Sequence, residues 1–488
     1  MTTGTSEQVR SSWAHTRPSL LVALLAAAQF MLIVDVTVVQ VSLPTIASDL
    51  GLGRDAMTWV VTGYTVAFGG LMVLGGRFAD ALGARRVFLT GLGGFVLASL
   101  VSGTAGDGAL LLTGRFGQGV CAALMSPAAL AIITTALTGR ARDRALGIWA
   151  AIGGAGAAAG VLLGGALTAG PGWRWVFFVN VPVGLAALVA VTRQVPPDRR
   201  PPSWRGIDLA GGALVTGSTA LLIHGFVHAG DHGWASTGTL TSLAGAVAGY
   251  VVLLVVESRV SMPLIRAATV GRRPVLAAIV LMLVGTSAML GMFFLSSLYL
   301  QNVLGYGPMR TGLVFLPVAV AITAGAHLGG QLLAHLGGRV VAVSGLTMTA
   351  VGSGLLTQVS ADGNLATVLL PGFIVGAFGI GSLFVTAFSA MMAKVEPEEA
   401  GVAAGVINTF HELGGAVGVA VVSTVAGSSI VTTGGASVSG FADGYLTCAI
   451  TAGVAALVSL VLVPGGRTPG GTGGGHGHGG HGGGHGHG

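Results

Sequence analysis

Between Leu20 and Val463 the chain is almost wholly apolar, and its basic residues fall in every second gap between the apolar runs. The region breaks into roughly fourteen runs, each near the ~20 residues that carry an α-helix across a bilayer. Of 23 Lys and Arg, 19 lie in one alternating set of connections, three lie in the other and one lies inside a run. A chain folding in water has no reason to sort charge this way. A polytopic membrane protein does, because basic loops stay on the cytoplasmic side. The pattern therefore predicts an all-α polytopic membrane protein with about fourteen transmembrane helices.

Composition agrees. Only 8% of the 488 residues are charged and 52% are hydrophobic, where an ordinary soluble domain carries about 25% charged residues. The 84 glycines would weaken helices in water, but in lipid small residues let helix backbones approach closely. A net charge of +6 and a pI near 10.0 are explained by the cytoplasmic loops, so no nucleic-acid partner is expected. Cys121 and Cys448 both lie in apolar runs, so no disulfide framework is implied. Arg10 and Arg17 precede a first run that resembles a signal peptide, but the runs that follow it make a retained helix the expectation. There is no Walker sequence, so ATP is not the expected energy source. The cluster Gly153 to Gly156 has no strand before it and reads as helix packing. No catalytic pair shares a span, so the chain is expected not to be an enzyme.

The predicted spans are 20–44, 57–76, 87–106, 109–138, 145–169, 175–192, 208–228, 237–256, 275–299, 311–334, 340–358, 366–393, 400–428 and 444–463. Both termini then lie in the cytoplasm. The Pro/Arg-rich segment 196–205 cannot continue a helix and reads as a cytoplasmic linker. The expected organisation is an N-terminal tail (1–19), a six-helix bundle (20–193), a linker with an inserted helix pair (194–273), a second six-helix bundle (274–463) and a Gly/His-rich tail (464–488). That last tail has nothing to bury and is disordered by composition. A short repeat supports the two halves. Gly76 to Arg85 and Gly330 to Arg339 share Gly, Leu, Gly and Arg at the same spacing, 254 positions apart and on the same predicted side. Parallel repeats of this kind are a plan of transporters whose halves rock about a midplane site.

Three charges sit well inside spans: Asp35, Arg115 and Glu412. Each costs about 2.5–3.5 kcal/mol at a helix centre on insertion scales, so each is expected to face a polar cavity or a partner. Asp35 reads as the binder of a coupling proton, facing a water-reachable chamber. The alternative is a permanent structural pair with Arg115. Arg115 is expected to neutralise Asp35 and release it on protonation, or to bond backbone carbonyls. Glu412 reads as a second proton site or an anchor for a cationic substrate, or else as a partner of His411. His327 reads as a satisfied core histidine. His224, His228 and His232 are spaced by four and form a weak metal candidate. The tail residues His476, His478, His481, His485 and His487 are weak metal candidates too. No dedicated metal site and no cofactor are expected, the coupling ion being H+.

Several motifs, in order along nearly the whole chain, resemble the fourteen-helix drug:proton antiporters of the major facilitator superfamily. Asp35 to Pro44 is similar to that family's first-helix motif, with Gln40 where Asn is usual. Trp59 and Tyr64 match a second-helix pair. Gly76, Asp80, Gly83, Arg85 and Arg86 resemble the loop after helix two, which in the family pairs charge across the cytoplasmic gate. The second-half copy of that loop has Ala334 where the Asp would be. Arg115, Gln118 and Gly119 match a fourth-helix motif tied to proton coupling. Gly147, Gly156, Gly160, Gly164 and Gly165 match the fifth-helix antiporter motif credited with a helix bend, with Val161 in place of the usual Pro. The stretch Trp173 to Gly184, with Asn180, and the run from Gly401 through Asn408 to Gly418 are similar to that branch. The resemblance implies two six-helix bundles plus two inserted helices, with Gln40, Trp59, Tyr64, Gln118, Asn180 and Asn408 as cavity candidates. It implies proton-coupled export of small amphiphilic organic compounds, antibiotics among them, by a monomer in the inner or plasma membrane. The alternatives are a proton-coupled metabolite uptake symporter, or a non-transporting metal-binding or sensor scaffold that uses the His tail.

Overall fold

The computed structural model describes residues 18–137, 141, 145, 148, 156, 159–198, 209–259, 272–361, 363, 365–392, 400–427 and 438–464. The described residues are helical, without strands, and their helices follow the predicted spans. They are α1 (Pro18–Leu50), α2 (Arg54–Leu82), α3 (Ala84–Gly103) and α4 (Gly108–Ala136). Next come α5 (Ala159–Ala169), α6 (Trp175–Gln194), α7 (Leu209–His232) and α8 (Thr237–Glu257). The remaining six are α9 (Arg273–Leu298), α10 (Pro308–Leu336), α11 (Gly338–Leu356), α12 (Leu370–Met392), α13 (Ala400–Ala426) and α14 (Ser439–Leu462). Among the described residues thirteen of these are long and apolar enough to cross a membrane, and α5 is shorter. The predicted fifth span began at 145, and most of its first half lies outside the described residues. Gly147, the linker from 199 to 208, Lys394 and the tail histidines lie outside them as well.

Local chemistry sets the helix ends. Asp107 caps α4 by accepting the Leu110 N–H at 2.9 Å, and Ser236 caps α8 in the same way. Both satisfy N–H groups that the first turn leaves unpaired. Outward faces are apolar: Leu97 on α3, Leu254 on α8 and Leu457 on α14 are 64, 62 and 68% exposed. Exposed apolar surface on this scale is a liability in water and the normal condition in lipid.

α1–α6 and α9–α14 pack as two bundles. The first turn of α11 meets the end of α14, where Arg339 Nε donates to the Val463 carbonyl at 2.9 Å. The start of α1 packs among the ends of α4 and α6. Both ends of the described chain therefore share one face, called here the terminal face. Toward the far face, buried apolar residues of both bundles form one cluster, from Val34 to Ile46 on α1 through Leu290 to Leu298 on α9 and Val419 to Ala426 on α13. Toward the terminal face they form two clusters, one within each bundle. The halves are thus welded at the far side and have separate cores at the terminal side.

The inserted pair has a definite seat. α7 lies along the seam of α2 and α13, with Val66, Ile223, Val227, Ala416 and Ala420 in one cluster. Two adjacent carbonyls of α7 are taken by different bundles. Arg54 Nη2 of α2 donates to Val227 at 3.0 Å, and Thr424 Oγ1 of α13 donates to Phe226 at 2.6 Å.

Candidate functional site

Asp35 stands mid-way along α1 and is fully buried. It turns into the N-terminal bundle, toward α4 and α6. Arg115 Nη1 forms a salt bridge with its Oδ2. Gln118 Nε2 donates to its Oδ1 at 3.0 Å, and Asn180 Nδ2 donates to the same oxygen at 2.9 Å. Arg115 and Gln118 are three apart on α4 and so share a face, and Arg115 Nη1 also donates to Gln118 Oε1 at 3.0 Å. Arg115 Nε reaches the Val60 carbonyl at 3.0 Å, and its guanidinium lies 4.5 Å from the centre of the Tyr64 ring. The remaining Gln118 N–H goes to Ser99 Oγ at 2.9 Å.

A buried ion pair survives only when hydrogen bonds satisfy the valences left over, and here the carboxylate has three donors. The structure therefore brings together Asp35, Arg115, Gln118, Asn180 and Tyr64, and adds Ser99, which the motifs did not indicate. It differs from expectation in one respect: Asp35 faces a sealed polar cluster inside its own bundle and not a chamber between bundles. The reason is electrostatic. A carboxylate at this depth needs its counter-charge and its donors within reach, and α4 and α6 supply them.

Glu412 occupies the contrasting position. It lies on α13 against α2, where a Cβ added to Gly69 would meet Glu412 Cβ at 2.6 Å. Its carboxylate lies 3.3 Å from His411 Nδ1, and its side chain is 14% exposed. Thus one acid is locked inside a bundle and the other sits on the seam between bundles. Asn408, one turn earlier on α13, is exposed, and Trp59 is half-buried beside the α7 seam. Gln40 is buried with no partner for its amide, while its backbone carbonyl accepts from Ser297 Oγ of α9 at 2.7 Å.

The loop after α2 turns at Gly83, whose φ of +104° suits a residue without a side chain. Asp198, past the end of α6, accepts the backbone N–H groups of Arg85 and Arg86 at 3.3 and 2.9 Å. Arg85 Nη2 donates to the Thr192 carbonyl at 3.0 Å. Asp80 is exposed, and a Cβ added to Gly76 would meet Pro127 at an ordinary 3.7 Å. Asp198 was not indicated by any motif. Gly156, and Gly160 and Gly164 of α5, lie against Ile33, Thr37 and Val38 of α1, while Gly165 lies against Pro308 and Met309 of α10. Val161 is buried among them. His224, His228 and His232 stack in sequence at 5.6 and 4.0 Å between ring centres. His327, expected in the core, is instead exposed.

A bundle pair of this kind, with an ion pair sealed in the first half, is the architecture of a membrane transporter. The sequence profile of the Major Facilitator Superfamily matches residues 25–419, and the chain belongs to that family. It is 38% identical over 446 residues to the puromycin resistance protein pur8 of Streptomyces alboniger, covering 89% of this chain and 88% of that protein. It is 36% identical over 454 residues to the cephamycin export protein CmcT of Amycolatopsis lactamdurans, covering 92% and 93%. Its fold is similar to that of the peptide transporter POT, with a TM-score of 0.66 at 15% identity over 93% of this chain and 97% of that one.

Proposed function

We propose that this chain exports small amphiphilic organic compounds, antibiotics among them, in exchange for protons by alternating access. The observation that carries the proton coupling is the sealed Asp35–Arg115 pair. While Asp35 is ionised, the pair is neutral and stable. Protonating Asp35 leaves Arg115 an uncompensated buried cation, so the cluster must rearrange. Binding a proton is thereby tied to helix movement. Glu412 on the seam is the second carboxylate, placed to meet a cationic substrate or a second proton. The loop from Gly76 to Arg86 acts as the gate element at the terminal face, held by Asp198 in this state. The glycines of α5 allow α1, which bears Asp35, to pack closely.

Export is supported by the resistance and export roles named for the two relatives. The terminal face is read as cytoplasmic, because the basic connections lie there. The domain division predicted from sequence is kept, with the inserted pair as a separate unit, and the protein acts as a monomer in the cell membrane. Everted membrane vesicles carrying the protein should accumulate puromycin when a pH gradient, acid inside, is imposed, and should lose it when the gradient is collapsed. Accumulation only in right-side-out vesicles would establish uptake instead and sink the export reading.

A further inference from the structure

α10 carries a polar strip that no role described above uses. Thr323, His327, Gln331 and His335 recur every four residues over its terminal half, and all four are exposed. A spacing of four keeps them on one slowly drifting strip of helix surface. Leu328, Leu332 and Leu336, each one residue further on, form a second strip and are 43, 43 and 52% exposed. One strip is wholly polar and its neighbour wholly apolar, as on a helix that touches water on one side and lipid on the other.

Helix geometry identifies the polar side. At the far face α10 seals against α5: a Cβ on Gly165 would lie 2.9 Å from Met309 Cα, and one on Gly312 would lie 3.6 Å from Gly165 Cα. At 3.6 residues per turn, His327 lies about five turns beyond Met309 on the same side, and Thr323 lies about three turns beyond Gly312. The side that meets the N-terminal bundle at the far face therefore carries Thr323 and His327 nearer the terminal face. There it is uncovered, and there the two bundles have separate cores. His327 is about 13 Å from the end of α10 at 1.5 Å per residue, and Thr323 lies deeper still. Polar side chains at such depth face a protein partner or a water-filled cavity.

The chemistry of the strip is also defined. Gln331 Nε2 lies 3.0 Å from His327 Nε2. An amide nitrogen only donates, so the ring accepts there and carries its proton on Nδ1. The ring N–H and the amide carbonyl remain to offer one donor and one acceptor.

We propose that Thr323, His327, Gln331 and His335 line a water-filled vestibule between the bundles, open at the terminal face, and that the His327–Gln331 pair binds a hydroxyl or amide group of the exported compound. The identity of the ligand rests on the export reading; the vestibule does not. The test uses single cysteines at 323, 327, 331 and 335, with controls at 328 and 332, in a chain carrying Cys121→Ala and Cys448→Ala. A membrane-impermeant, charged methanethiosulfonate should label the polar-strip cysteines from the terminal face at least about tenfold faster than the controls, as water access demands. Equal rates would overturn the vestibule, with maleimide labelling of the denatured chains confirming that all were made. For the ligand, His327→Leu and Gln331→Leu should raise KM for the drug used in the vesicle assay roughly fivefold, the worth of one neutral hydrogen bond, and His327→Gln should restore it. Leu variants with wild-type KM would overturn the binding role. Loss of export by the wild type itself would sink the export reading and leave the labelling result standing.

Discussion

Replacing Asp35 by Asn keeps the side chain's shape and strands a guanidinium that is 1% exposed. Removing one partner of a buried pair typically costs about 3–5 kcal/mol. Asp35→Asn should therefore lower Tm and abolish pH-driven export, whereas Asp35→Asn with Arg115→Gln should recover Tm and still not export. Thermal unfolding of the purified protein and vesicle transport check the two halves of this expectation. Glu412→Gln, on the seam, should reduce export of cationic compounds and spare neutral ones, as a panel of resistance assays would show. The three charges inside spans, Asp35, Arg115 and Glu412, were legible in the sequence because charge inside a span is costly. The direction in which Asp35 points was not, because α1 is apolar on every side. Asp198 was invisible too: it lies 113 residues from Arg85, in a stretch that reads as a linker. His327 was misread as a core residue, although a period of four through Thr323, Gln331 and His335 was there to be found.

Among elements, the inserted helices could be counted from sequence but not placed, since they have no counterpart in the repeat. Their seat on α2 and α13 gives them work. When the far side opens, α2 and α13 must separate, and α7 can keep only one of its two carbonyl bonds. Thr424→Val removes the bond to Phe226, worth about 0.5–1.5 kcal/mol. It should shift the chain toward the far-open state, read as faster far-face labelling of a cysteine at position 41 or 301. Asp198→Ala removes the cap on the start of α3, where losing a capping side chain costs about 0.5–2 kcal/mol. A lower Tm with retained drug affinity is expected, because Asp198 touches the loop and not the cavity.

Across the whole molecule, the joined far side and the divided terminal side describe one end of a transport cycle. The helices were legible as a set because each must satisfy its own backbone in lipid. Their pairing was not, since lipid-facing and helix-facing sides are equally apolar. Residues 465–488 contribute nothing to either bundle's predicted span, and a chain ending at Pro464 should export at the wild-type rate in the same vesicles. α5 touches both bundles at adjacent residues. Gly164 bears on Val38 and Val41 of α1, and the very next residue, Gly165, bears on Pro308 and Met309 of α10. A single peptide link thus separates the helix that holds the acid from the opposing half. Movement of α5 beside α1 therefore meets α10 of the opposing half with no helix in between.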